Sequence, residues 1–314
     1  MIKLTRHSKD PIIKPRQNIW WESRAVFNPG VVVYDNKIQM IYRAVGSDGI
    51  SRFGYCNSLD GINFSDFKDF PIYESDERDY LERLGCEDPR ITQIDDVFYI
   101  VYTGASLYAA NDLEKMHYLS RAPWRTRVSL LKTKDFKKID KAGVILKNID
   151  NKDGALFPDK FNNQYMLLHR VWPNICLSYS KNIKSFSKGT VIIKPRKEYW
   201  DSYSIGAGAQ PLKTPLGWLL FYHGMDNKKV YRLGIIILDT NDPEKILYRS
   251  LKPIFEPECD FEKNGVVSNV VFTCGVVEFN NKYMVYYGGA DQSIGLAYIE
   301  KDKLLTELEK EMNN

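Results

Sequence analysis

No apolar run in this 314-residue chain approaches the roughly 18 residues that a membrane-spanning helix needs. That argues against a helical membrane protein. The amino-terminal Met1-Ile2-Lys3-Leu4-Thr5-Arg6-His7 turns polar at once and lacks the apolar stretch of a secretory signal, so the expected location is cytoplasmic. The five cysteines are odd in number and have no CxxC spacing, which gives neither a disulfide framework nor a zinc site. They read as small buried residues of a reducing compartment. The four histidines and the scattered acids show no ligand spacing, so no metal is expected. The net charge of +4 is spread through lysines in loops, and no Lys/Arg block with interleaved aromatics marks a nucleic-acid footprint. With 44% hydrophobic and 27% charged residues, the composition is that of an ordinary globular chain.

What the chain does have is a repeat. Five times, a short apolar strand, a tight polar turn and a strand rich in aromatic and β-branched residues follow one another. The stretches are GVVVYDNKIQMIYR, RITQIDDVFYIVYT, ALFPDKFNNQYMLLHR, QPLKTPLGWLLFYH and GVVEFNNKYMVYYG. They turn at Asp35-Asn36, Asp95-Asp96, Asn162-Asn163, Pro215-Leu216-Gly217 and Asn280-Asn281, and apolar strands joined by Asx-rich or Gly-containing turns read as hairpins. A further strand-like piece follows each: Ser51 to Asn57, Arg127 to Thr133, Asn174 to Ser180, Val230 to Asp239 and Ser293 to Ile299. Successive turns lie about 50 to 70 residues apart, the spacing of four-stranded propeller blades. A sandwich or two small barrels could use as many hairpins, but neither requires the units to resemble one another. The expectation is an all-β chain, a single five-bladed β-propeller over residues 1–314. An insertion at about 108–126 interrupts the second unit, with helix expected from Asp112 to Leu119. The spacing of Leu304, Leu305 and Leu308, with Glu/Lys pairs, predicts a short C-terminal helix over about 301–312.

Aligned on their turns, the units carry Arg43, Thr103, Arg170, His223 and Tyr287 about seven residues later, where the second strand ends. About eight residues before the turns lie Asn28, Asp88, Ala155, Gly208 with Gln210, and Thr273. Equivalent positions of a propeller face one end of its axis, so these residues should converge on one bowl. An acid, an amide, two arginines and a histidine suit a polar substrate and an oxyanion. Taken singly, the arginines would pass as solvated strand caps and His223 as a structural histidine. Shared register is the reason to read them as a site; His7 and His117 lack it and read as surface residues.

Gly85-Cys86-Glu87-Asp88-Pro89-Arg90 is the densest point of this pattern. Asp before Pro is ordinary turn chemistry at the start of a strand. The same geometry also holds an acid in one place.

Together with that element, Phe27-Asn28-Pro29, Tyr42-Arg43-Ala44, Ser51-Arg52-Phe53-Gly54, Leu168-His169-Arg170 and Ile205-Gly206-Ala207-Gly208 run along the chain in order. Tyr222-His223-Gly224, Tyr231-Arg232-Leu233-Gly234, Val270-Val271-Phe272 and Tyr286-Tyr287-Gly288 with Asp291 complete the series. In this order and spacing the chain resembles glycoside hydrolase family 130, five-bladed propellers comprising β-mannoside phosphorylases and some β-mannosidases. The resemblance implies an inverting enzyme with Asp88 as its catalytic acid. In the family's phosphorylases the acid protonates the leaving oxygen through the 3-hydroxyl of the bound mannose, while phosphate attacks the anomeric carbon from the opposite face. It further implies phosphate binding by Arg43, Arg170 and His223, and substrate binding by Asn28, Arg52, Glu87 and Asp291. Inorganic phosphate is then a co-substrate, and no cofactor is expected.

Residue chemistry agrees with this, since a hydrolase needs a second carboxylate to activate water whereas a phosphorylase needs cations to hold its nucleophile. A bidentate guanidinium suits that task. One departure stands out: many of the family's phosphorylases carry lysine directly before Ile-Gly-x-Gly, and here Ser204 stands, with Lys213 nearby but out of register. The expectation is an inverting β-mannoside phosphorylase that converts a β-1,2- or β-1,4-linked manno-oligosaccharide to α-mannose 1-phosphate. An inverting β-mannosidase drawing its base from Glu256, Glu258, Glu262 or Glu278 is the alternative, and a non-catalytic carbohydrate-binding propeller the third reading. The insertion, with Tyr108, His117, Tyr118 and Trp124, reads as a lid or acceptor wall, or equally as an oligomer contact or a surface excursion. A homo-oligomer is compatible with the sequence.

Overall fold

All five expected turns are turns in the computed structural model, which describes residues 2–109, 124–147 and 149–313. The Asx residues are there for conformational reasons. Asp35 and Asn36 sit at φ 53° and 55°, Asn162 and Asn163 at 49° and 60°, Asn280 and Asn281 at 50° and 58°. Both central residues of a type I′ hairpin need positive φ, which Asn and Asp tolerate best after glycine.

The chain opens with a short strand, β1 (Thr5–Arg6). The first blade is β2 (Ala25–Tyr34), β3 (Lys37–Val45) and β4 (Ser51–Ser58), edged by bridges from Asn57 to Ser65 and Phe53 to Tyr73. The second is β5 (Cys86–Ile94), β6 (Val97–Leu107), β7 (Trp124–Thr133) and β8 (Asp140–Val144). The third is β9 (Lys152–Leu156), β10 (Tyr165–Val171), β11 (Asn174–Ser180) and β12 (Thr190–Ile193). In the fourth, β13 (Ser204–Ala207) and β14 (Leu212–Thr214) share the inner edge of β15 (Gly217–Met225), followed by β16 (Tyr231–Leu238) and β17 (Ile246–Arg249). A one-turn helix α1 (Asp260–Lys263), absent from the sequence expectation, precedes the last blade of β18 (Val271–Phe279), β19 (Lys282–Gly289) and β20 (Ser293–Glu300).

The ring is closed by β1, which adds to β20 through Thr5–Tyr298 and Arg6–Ala297. The chain's two ends thereby share one sheet, with β1 as its outer edge. The expected terminal helix is α2 (Lys301–Met312), whose Leu304 and Leu308 are buried with Ile2, Leu4 and the apolar faces of the fourth and fifth blades. A separate apolar cluster fills each of the other seams between neighbouring blades. Leu107 pairs with Trp124, so the insertion is narrower than expected: Trp124, Arg125 and Thr126 belong to β7 because its ladder with β6 runs that far. The helix expected over Asp112 to Leu119, with His117 and Tyr118, lies outside the described residues. Tyr108 is a buried anchor whose hydroxyl donates to Asp150 Oδ1 at 3.1 Å.

A second repeat, unread in the sequence, fastens the blades. In four of them a tyrosine of the second strand donates at 2.7 Å to a buried carboxylate of the segment leading into that blade: Tyr42 to Glu22, Tyr102 to Glu82, Tyr222 to Asp201 and Tyr287 to Glu262. Arg16, Lys141, Arg196 with Arg249, and Arg6 neutralise these acids. In the third blade His169 holds the tyrosine's place and meets Asn151 at 2.9 Å. Gly54, opposite Tyr42, is required by the arrangement, because a Cβ there would lie 2.2 Å from the tyrosine ring. Tyr287→Phe should lower unfolding free energy by about 2 kcal/mol, the worth of a hydrogen bond to a buried charge. The check is a urea midpoint shift without change of slope.

Candidate active site

The inner strands of the first two blades slip register once, at Phe27/Gly30 and Glu87/Arg90, and β9 does so against Leu168/Arg170 of β10. At each slip an Asx residue takes left-handed backbone: Asn28 at φ 48°, Asp88 at 56° and Asp153 at 55°. Such bulges re-aim a side chain, and Asn or Asp tolerates the conformation. Pro or Gly follows in each case, as Pro29, Pro89 and Gly154.

Asp88 is buried, and two first-blade groups reach it. Asn28 Nδ2 donates to its Oδ1 at 2.9 Å and Arg43 Nη1 to the same oxygen at 3.2 Å. Arg43 Nη2 donates to Glu87 Oε1 at 2.8 Å and Nε to Ser51 Oγ at 2.9 Å. The guanidinium expected at phosphate is thus forked onto the two adjacent acids. Burial opposes its charge, but Glu87 and Asp88 raise its pKa further.

The third and fourth blades bring the remaining basic groups. Lys152 Nζ donates to Glu87 Oε2 at 2.9 Å, and burial of that carboxyl is outweighed by Arg43 and Lys152, which hold it down at about 2. Asp153 lies 3.1 Å from Arg170 Nε and 3.4 Å from His223 Nε2. Burial would raise the Asp153 pKa, yet Arg170, His223 and Arg90 keep it well below the usual carboxylate range. Burial lowers the pKa of His223, with Asp153 opposing, and Phe272 covers the imidazole at a ring separation of 4.3 Å. Arg90, fully buried, joins these parts. It donates to the Asp88 carbonyl at 3.0 Å, to Asp153 Oδ1 at 3.3 Å, and to the Ala207 and Gly208 carbonyls at 3.0 and 2.6 Å.

Sequence counting missed Lys152 and Asp153. The third hairpin carries two more residues between bulge and turn, so the count fell on Ala155. In the last blade the register pairs Phe272 with Gly288, and Tyr287 faces away from the bowl toward Glu262. That one-residue slip moves a side chain to the opposite face. The signal that would have found Asp153 is the recurring Asx followed by Pro or Gly.

Arg52 is not brought to the acid. It pairs with Asp48 at 2.7 Å and Glu74 at 3.0 Å and stacks on Trp20, much as Arg232 braces Asp226 and Glu256 in the fourth blade. Ser204 is buried at the start of β13, and Lys213 is spent on Asp159 at 2.6 Å. The four glutamates weighed as a hydrolytic base are engaged elsewhere: Glu256 with Arg232, Glu258 and Glu262 with Arg6, Glu278 with Lys301.

Asp291, at φ 52°, completes the site electrostatically. Burial and the nearby Asp88 and Glu87 raise its carboxyl from 3.8 to about 6, against the pull of Arg43. A raised acid contributes stability that is full below 3.8 and is lost as pH rises through about 6. Asp291→Asn should therefore be more stable than the parent at pH 7.5, by about 1–2 kcal/mol after allowance for solvent, and equal to it near pH 4. Paired thermal melts across that range measure it.

The family model described as beta-1,4-mannooligosaccharide phosphorylase matches residues 4–310. The chain belongs to this family, glycoside hydrolase family 130. A 1,2-beta-oligomannan phosphorylase of Thermoanaerobacter sp. (strain X514) is 40% identical over 308 residues, 96% of this chain and 98% of that one. A beta-1,2-mannobiose phosphorylase of the same organism is 40% identical over 318 residues, covering 97% and 99%. The solved structure of Listeria innocua beta-1,2-mannobiose phosphorylase with beta-1,2-mannobiose superposes with a TM-score of 0.83 at 25% identity, covering 98% of this chain and 99% of that one. In this family-130 chain the first glycine of Ile205-Gly206-Ala207-Gly208 has a local cause. A Cβ on Gly206 would lie 2.2 Å from Asp153 Oδ2 and 2.5 Å from the His223 ring.

Proposed function

We propose that this protein is an inverting β-mannoside phosphorylase that cleaves β-1,2-linked manno-oligosaccharides with inorganic phosphate. The observation that carries the reading is the division of the site. One buried acid, Asp88, is held by Asn28 and Arg43, while Lys152 on Glu87 and Arg170 and His223 on Asp153 add a set of basic groups from the neighbouring blades. The β-1,2 linkage is taken from the relatives at 40% identity, which carry that linkage in their names.

In the reaction, Asp88 gives its proton to the leaving glycosidic oxygen, directly or through a hydroxyl of the bound mannose, as the bond to the anomeric carbon breaks. A phosphate oxygen attacks that carbon from the opposite face, giving α-mannose 1-phosphate and a shortened acceptor. Asp88 recovers its proton from the P–OH of the nucleophile by way of solvent. Because the nucleophile is already an anion, no second carboxylate is needed to generate it. Lys152 and Arg170 hold phosphate, and Lys152 supplies the charge that Ser204 does not. Arg43 acts on the acid, keeping Glu87 ionised and Asp88 aimed. Asn28, Glu87 and Asp291 border the mannose.

The test is a product assay on β-1,2- and β-1,4-mannobiose with and without phosphate. α-Mannose 1-phosphate should accumulate from the β-1,2 isomer only when phosphate is present. Free mannose formed at the same rate in phosphate-free buffer would mean hydrolysis and sink the proposal; faster turnover of the β-1,4 isomer would overturn the linkage alone.

A further inference from the structure

Asp153 stands where neither acid catalysis nor an anionic nucleophile calls for a carboxylate. It is 2% exposed and occupies in the third blade the bulge position that Asp88 occupies in the second. A negative charge beside Arg170 and His223 weakens their attraction for phosphate, so its presence needs another reason. The geometry supplies one. Its Oδ2 lies 3.1 Å from Arg170 Nε and 3.4 Å from His223 Nε2, and its Oδ1 accepts from Arg90 Nη2 at 3.3 Å. Arg90 in turn donates to the backbone carbonyl of Asp88 at 3.0 Å. Gly206 leaves the room that Oδ2 occupies, since a Cβ there would intrude to 2.2 Å. A long guanidinium and an imidazole at a strand end hold a ligand well only when a neighbouring group fixes their rotamers.

We propose that Asp153 is a positioning residue for the nucleophile: it fixes Arg170 and His223 where phosphate binds, and through Arg90 sets that cradle at a constant distance from the acid. This rests on the phosphorolysis reading and names the group that aligns its two halves. Loss of the Asp153 charge frees the cradle while Asn28 and Arg43 keep Asp88 in place, so the defect falls on phosphate and not on the sugar.

Asp153→Asn keeps the side-chain shape and tolerates the positive φ of 55°. Steady-state kinetics on β-1,2-mannobiose should show the phosphate KM raised about 30-fold, with the mannobiose KM changed by less than about twofold. Gly206→Ala, whose Cβ would press both Asp153 Oδ2 and the His223 ring while keeping the charge, should raise the phosphate KM by a smaller factor and again spare the mannobiose KM. An unchanged phosphate KM in both variants, or equal rises for both substrates, overturns the proposal. Should neither variant fold, a crystal structure of the parent enzyme soaked with inorganic phosphate decides. Arg170 and His223 must both stay within hydrogen-bond reach of Asp153 while touching the anion, and release of either refutes the assignment. A parent enzyme that makes free mannose without phosphate would instead refute the phosphorylase reading, an outcome separate from these.

Discussion

Asp88→Asn should lower kcat/KM for β-1,2-mannobiose by about 10³-fold while leaving a folded, cooperative protein. General acid catalysis by a positioned group contributes about 10²- to 10⁴-fold, and this substitution removes only the proton. Asparagine keeps the shape, accepts the φ of 56° and retains an oxygen for Asn28 Nδ2. Diagnosis comes from the leaving group. An aryl β-mannoside with a strongly acidic phenol needs little protonation, so the variant's deficit should shrink to roughly tenfold or less on it. Equal deficits on both substrates would assign Asp88 a binding role and displace it as the acid. An unaltered rate would return the chain to a carbohydrate-binding propeller.

Arg170→Ala should reduce kcat/KM for phosphate by about 10²- to 10³-fold, the range expected when one partner of a buried charge pair is truncated. Two losses combine. Phosphate forfeits a forked donor, and Asp153 keeps a buried charge with the nearest of its three basic neighbours gone. Arg170→Lys restores a charge for Asp153 without the fork, so it should recover part of the loss. Added guanidinium should do the same for the alanine variant. Phosphate titrations of initial rate at saturating mannobiose measure all three. A mannobiose KM that rises as steeply as the phosphate KM would place Arg170 at the sugar and move the anion site elsewhere.

Much of this site was legible because its physics is local. Asp35-Asn36 and Asn280-Asn281 announce turns since their backbone needs positive φ, and a two-residue turn fixes the register of the strands it joins. Counting from those turns placed Asn28, Arg43, Asp88, Arg170 and His223 together at one end of the axis. The count failed where a hairpin broke the common length. Two extra residues before Asn162-Asn163 hid Asp153 behind Ala155, and a slip of one residue in the last hairpin turned Tyr287 inward on paper. In the fold that tyrosine faces Glu262 and Arg6, which belong to segments remote in sequence. The Tyr–carboxylate fasteners escaped for the same reason, because each acid lies in a connector without a regular period.

The amino-acid sequence by itself determined the repeat, the turns, the family and the place of Asp88 before a proline at the start of a strand. These depend on backbone preference and on strand alternation, both written within a dozen residues. The tertiary structure decided what each charge faces. Lys152 meets Glu87 across 65 residues, and Arg90 reaches the Ala207 carbonyl across 117. Such contacts form when blades close side by side around the axis, and a period that repeats within each blade carries no record of which neighbour a side chain will find. Arg43 therefore grips Glu87 and Asp88, and Lys152 reaches the same Glu87 from the third blade.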